Sequence, residues 1–166
     1  MMETMMKRII LTAALAFAAA LPARAEEAVV TYKSIAPDIA FDLARTALNK
    51  CRKDGYQVAV VVVDRFGLPL VVVRDRFANS LALRVAEGKA WTSVTFIRDT
   101  SALLRDNVIS PALARQPKVT AQVGGLVIEA GGSLLGGVGV SGAPGGDKDE
   151  ACAKTGLESV QDKLDF

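Results

Sequence analysis

The chain has 166 residues, 20 of them basic and 18 acidic, and no histidine. That length suits one domain with a real core and is too short for two. The absent histidine excludes Ser-His-Asp and Cys-His catalysis, and with them histidine-ligated zinc or haem.

Residues 1–25 read as a secretory signal. Lys7 and Arg8 precede an apolar run over residues 9–21, and Pro22 then leads to Ala23-x-Ala25, the small residues that signal peptidase accepts. A bilayer takes roughly 20 helical residues to span, so the run is too short to remain as an anchor. Cleavage before Glu26 is expected to leave a single periplasmic domain over residues 26–166 with no membrane span. Removing Lys7, Arg8 and Arg24 against Glu3 leaves 17 basic and 17 acidic residues. A neutral chain lacks the cationic surface on which nucleic-acid binding depends.

Across residues 34–53, Ile35, Ile39, Leu43, Ala47 and Cys51 recur every fourth position, which predicts an amphipathic helix with Pro37 in its first turn and Gly55 as its stop. The β-branched runs 58–63 and 70–74 flank Asp64-Arg65-Phe66-Gly67-Leu68-Pro69 and read as a hairpin. Their near-continuous valine predicts that both faces of this ribbon are covered. Residues 79–96 and 99–107 read as helices capped by Asn79 or Ser80 and by Asp99 or Thr100, with Pro111 and Pro117 breaking the pattern. A second hairpin is expected over residues 124–141 around Gly131-Gly132. A last helix is expected from near Asp147 through Leu164, opened by the box Asp147-x-x-Glu150. Helix, hairpin, helices, hairpin, helix implies a mainly antiparallel sheet flanked by helices.

Cys51 and Cys152 are the only cysteines, and in an oxidising compartment an even count favours a disulfide, here tying the first helix to the last. Gly137-Val-Gly139-Val-Ser-Gly142 has the G-x-G-x-x-G spelling, but no helix opens at once and Pro144 intervenes. The glycines read instead as places where a strand is crossed closely by another element.

Two segments carry possible ligand chemistry. The loop Ser141-Gly142-Ala143-Pro144-Gly145-Gly146 runs into a helix N-terminus, whose free N–H groups suit a carboxylate, although Asp147, Asp149 and Glu150 can cap that terminus themselves. Lys89-Ala90-Trp91-Thr92 offers one cation and a hydroxyl on a helix of small residues, with Lys89 free to pair with an acid such as Asp64.

Val60-Val-Val-Val-Asp64-Arg-Phe-Gly67, Lys89-Ala-Trp-Thr92, Gly124-Gly125 through Gly139-Val-Ser-Gly-Ala-Pro-Gly-Gly146, and Asp149-Glu-Ala-Cys152 together resemble the GlcG/HbpS-like family of haem-binding or haem-degrading proteins. The resemblance covers nearly the whole mature chain. It implies a profilin-like α+β fold with a central, mainly antiparallel, five-stranded sheet, assembly into homo-oligomers, and haem as a cofactor. Without histidine, an axial ligand would come from Tyr32, Tyr56, a Met, Lys89 or Thr92. The leading expectation is a non-catalytic protein that binds haem or a similar planar, anionic small molecule between Lys89, Trp91 and Thr92, Asp64 nearby, and the loop residues Ser141, Gly142, Gly145 and Gly146. The alternatives are an accessory or structural partner of a periplasmic oxidoreductase without its own cofactor, and an enzyme on a small hydroxy or oxo acid using Lys89 or Asp64 as base.

Overall fold

The hydrophobic periodicities resolve into a four-stranded antiparallel sheet with helices on both faces. A computed structural model describes residues 29–164; the expected signal segment and its boundary lie outside them. The chain divides into two units at residue 32, and the described elements belong to the second, which begins at Lys33. Its elements are α1 (Pro37–Lys53), β1 (Ala59–Asp64), β2 (Pro69–Arg74), α2 (Ser80–Phe96), α3 (Thr100–Arg105), a 3-10 turn at Leu113–Arg115, β3 (Gly125–Ala130), β4 (Ser133–Ser141), α4 (Gly146–Glu158) and α5 (Gln161–Leu164). The strand order is β2-β1-β4-β3, every neighbouring pair antiparallel. The two hairpins read from the residues supply all four strands. The fifth expected from the resemblance is absent among the described residues: before α1 the chain meets the sheet through Ser34 Oγ and Ile35 N, which donate to Leu135 O, and through the buried Ile35 side chain.

Alternation along β1 feeds two cores. Val60 and Val62 join Leu43, Ala47, Val138, Val140 and Ala153 on the face covered by α1 and α4. Ala59, Val61 and Val63 meet Ala82, Ala86, Ala90 and Val94 of α2 on the other. The expectation that both faces of the first hairpin are covered therefore holds for β1 and fails for β2. Leu70 and Val72 stay exposed because α2 crosses β1, β4 and β3 and does not reach β2.

The crossing of α2 over β4 is close enough to demand glycine. A Cβ at Gly139 would stand 2.0 Å from Ala86 O. The G-x-G-x-x-G spelling thus records backbone approach inside a strand, as expected.

The ends of the elements carry corrections. α1 starts at Pro37 rather than Ser34, because the residue before a proline is pushed to extended backbone, as Ala36 is. Asn79 caps α2 by accepting from Ala82 N at 2.9 Å. Asp99 precedes α3 but turns its carboxylate to Val127 N at 3.0 Å, while Thr100 Oγ1 accepts from Gly125 N. These two side chains therefore occupy the outward N–H groups of edge strand β3. The capping box at Asp147 and Glu150 does not form. Gly145 is the N-cap, and Glu150 pairs with Lys154 one turn along. The last helix also ends earlier than expected, at Glu158, with a short turn separating α5.

Cys51 of α1 and Cys152 of α4 form a disulfide, their Cα atoms 5.6 Å apart. It closes a chain segment of 101 residues, for which loop entropy alone gives about 4 to 5 kcal/mol. Replacing both cysteines by serine is expected to lower unfolding free energy by roughly that amount, read as a reduced denaturant midpoint relative to the oxidised protein.

Candidate functional site

The loop from Ser141 to Gly145 leaves β4, passes over the start of α2 and enters α4, and between these elements lies a cleft of about 570 Å³. That volume is within the range of small-molecule sites. Its walls are Leu81, Ala82 and Val85 from α2, Gln122 and Val123 from the approach to β3, and the loop itself, with Asn79 and Asp147 at its rim.

Lys89 forms the floor. Its side chain is 1% exposed, and Nζ donates to Asp149 Oδ2 at 2.7 Å and to Val140 O at 2.8 Å. Asp149 Oδ1 in turn accepts from Ala143 N at 3.0 Å. One buried pair thus joins α2, the end of β4, the loop and α4. Burial pushes the Lys89 ammonium below its usual pKa, and the Asp149 hydrogen bond opposes that. Burial likewise pushes Asp149 above the usual carboxylate range, against its bond to Lys89. The room for this pair comes from Gly124, at φ +119, where a Cβ would lie 2.9 Å from Lys89 Nζ and 2.8 Å from Asp149 Cβ.

Of the residues singled out from the sequence, Lys89, Ser141, Gly142, Gly145 and Gly146 meet in this cleft. Trp91, Thr92 and Asp64 do not. Positions two apart on a helix point about 200° apart, so with Lys89 turned to the cleft Trp91 faces away. It lies against Gly67 and lines a separate cavity of about 240 Å³ with Arg84, Glu87 and Lys118. Thr92 is fully buried, and its hydroxyl accepts from Thr120 N at 2.9 Å. Asp64 shapes the hairpin turn by accepting from Phe66 N and Leu68 N; the partner of Lys89 is Asp149. The sequence reading also left out Asn79, Leu81, Val85, Gln122 and Val123 as walls.

Fold and cleft together define a small α+β domain with a ligand-sized cleft where a strand end, a loop and a helix start meet. Residues 35–158 match the family described as haem degrading protein HbpS-like, and the chain belongs to that family. The crystal structure of an HbpS double mutant from Streptomyces reticuli is 34% identical with a TM-score of 0.76, covering 86% of this chain and 98% of that one. The PduOC:haem complex is 28% identical with a TM-score of 0.68, covering 76% and 94%. A Klebsiella pneumoniae protein, ORFY, shares the fold at 22% identity and a TM-score of 0.75, covering 82% of this chain and 97% of that one. No curated protein matches the chain.

Breaking a buried ion pair on one side strands the other charge and typically costs about 3 to 5 kcal/mol, whereas replacing both partners by apolar groups is often neutral. Lys89→Met is therefore expected to destabilise by about 3 kcal/mol, and Lys89→Met with Asp149→Leu by much less than the two single changes together. In Lys89→Met the folded-state pKa of Asp149 rises further above its unfolded value. The stability deficit should shrink as pH falls through that raised pKa towards the ordinary carboxylate range. Urea unfolding of the four proteins at neutral and mildly acidic pH tests both statements.

Proposed function

We propose that this chain is a binding protein, exported and cleaved before Glu26, that takes a planar, anionic small molecule of the haem type in the cleft beside Ser141, Gly142, Gly145 and Gly146. The observation that carries this reading is the cleft itself. Apolar Leu81, Val85 and Val123 offer a wall for a flat ring, and an N–H-rich loop offers donors for its carboxylates. Membership of the HbpS-like family and likeness to a protein solved as a haem complex support it.

The described residues at the cleft fit the carboxylate end of such a ligand, and Lys89, Thr92 and Tyr56 are not placed to meet its iron. Lys89 is engaged and buried, Thr92 is buried beneath Thr120, and Tyr56 packs on the α1 side of the sheet. Tyr32 belongs to the N-terminal unit, and the four methionines, at positions 1, 2, 5 and 6, lie outside the described residues. Recognition is therefore by ring stacking and carboxylate binding, without an axial ligand from the cleft. Titration should show saturable binding of haemin, seen as a Soret change, and of iron-free protoporphyrin IX, seen by fluorescence, with affinities within about threefold of each other. No saturable change with either would overturn the reading, and haemin binding alone would restore a role for the iron.

We further propose that copies associate through the β2 side. Leu70 and Val72 on the sheet and Phe77 just after it are exposed, and exposed apolar surface of this kind marks interfaces. The exported protein should show an intact mass beginning at Glu26 and sediment as an oligomer, and Val72→Lys should shift it towards monomer. A monomeric parent protein would rule this assembly out.

A further inference from the structure

Away from the cleft, a cavity of about 490 Å³ opens between the edge strand β3 and the C-terminal helices, and it shares no lining residue with the cleft. Leu126, Val127 and Leu157 give it an apolar wall, and Asp99, Glu129, Glu158 and Lys154 give it charge. The balance is unequal. Its one ammonium, on Lys154, is committed to Glu150 Oε1 at 2.5 Å, while no cation among the described residues forms an ion pair with Glu129 or Glu158.

An excess of acids alone is a solvated face; the carboxylate behind these acids marks a site. Glu150 is 8% exposed, and its Oε2 is enclosed without a hydrogen-bond partner among the described residues. Positions 150, 154, 157 and 158 are spaced by threes and fours, so Glu150 lies on the same face of α4 as Lys154, Leu157 and Glu158, one turn inward from the lining. Asp99 approaches this carboxylate from the β3 side. Burial first, and the charge of Glu150 after it, hold Asp99 above the usual carboxylate range. Its Oδ1 accepts from Val127 N, and its Oδ2 has no partner among the described residues. Ionised oxygens kept from water without donors are costly, and native structures rarely leave them so. Among the described residues no three acids converge closely enough to hold a metal ion. A cation with a hydrocarbon stem, by contrast, uses both the acids and the apolar wall.

We propose that this cavity binds a small organic cation, an alkyl ammonium or guanidinium, with its charged end between Asp99 and Glu150 and its stem along Leu126, Val127 and Leu157. The Lys154 side chain, 55% exposed, covers Glu150 and turns aside to admit it. An ammonium carries three donors, enough for Asp99 Oδ2 and Glu150 Oε2 together. The cleft beside Ser141 and this cavity thus select opposite charges, and each stands or falls without the other.

The test is titration of the 15N-labelled protein with n-hexylammonium chloride and, separately, with sodium hexanoate, which has a stem of similar length and the opposite charge. Binding is followed at the Leu126, Val127 and Leu157 amides. The parent chain is compared with Glu150→Gln and with Asp99→Asn, which keeps an acceptor for Val127 N. Hexylammonium is expected to give saturable shifts with a preference over hexanoate of about tenfold, and half-saturation is expected to rise at least about fivefold in each variant. Urea unfolding checks that the variants are folded; should Glu150→Gln not fold, Asp99→Asn decides alone. No saturable shift with hexylammonium, an equal response to hexanoate, or an affinity unchanged in Asp99→Asn would overturn the proposal.

Discussion

The ion pair between Lys89 and Asp149 is the contact through which the cleft exists. A buried lysine ammonium is tolerated only when it is paired with a counter-charge and hydrogen-bonded. Here the acceptors come from two different elements, the Asp149 carboxylate of α4 and the Val140 carbonyl near the end of β4. Satisfying the lysine therefore fixes where α4 begins relative to α2. Because Asp149 also receives Ala143 N, the loop is held by the same charge. The pair shapes the cleft and withholds its own charge from whatever enters, which leaves recognition to neutral donors.

Behind that pair is a steric constraint. Gly139 lets the backbone of β4 meet that of α2 at Ala86, and small residues at Ala82, Ala86 and Ala90 keep the helix low on the sheet. A helix pressed this close has no rotational freedom. Its rotation sends Lys89 into the space between β4 and α4 and Trp91 to the opposite side, against Gly67. The glycines and the lysine are thus parts of one arrangement.

Both hairpins, the main helices and the disulfide were legible in the sequence, because each rests on a short-range signal: the four-residue recurrence through Cys51, the valine runs, Gly131-Gly132 at a turn. The loop beside Lys89 was legible too. What was not legible depends on angles between elements. Lys89-Ala-Trp-Thr92 reads as one wall only if the helix is ignored, since neighbours in sequence are spread around its axis. Asp149 reads as a helix-start acid until the fold brings it under a lysine 60 residues away. Asp64 looked like a free carboxylate because the N–H groups it accepts from belong to its own turn. A fifth strand came from likeness to relatives, and no run of residues asked for it.

The two margins of the sheet are not equivalent. Along β3, Asp99 and Thr100 hold the outward N–H groups of Val127 and Gly125, so another strand finds its donors taken. Along β2 no side chain among the described residues holds the outward N–H groups in this way, and Leu70 and Val72 beside them are exposed. A sheet that can be extended on one side only can be extended once. Two copies that paired edge to edge along β2 about a twofold axis would leave no second margin free, which is the condition that keeps exposed strands from growing into fibres.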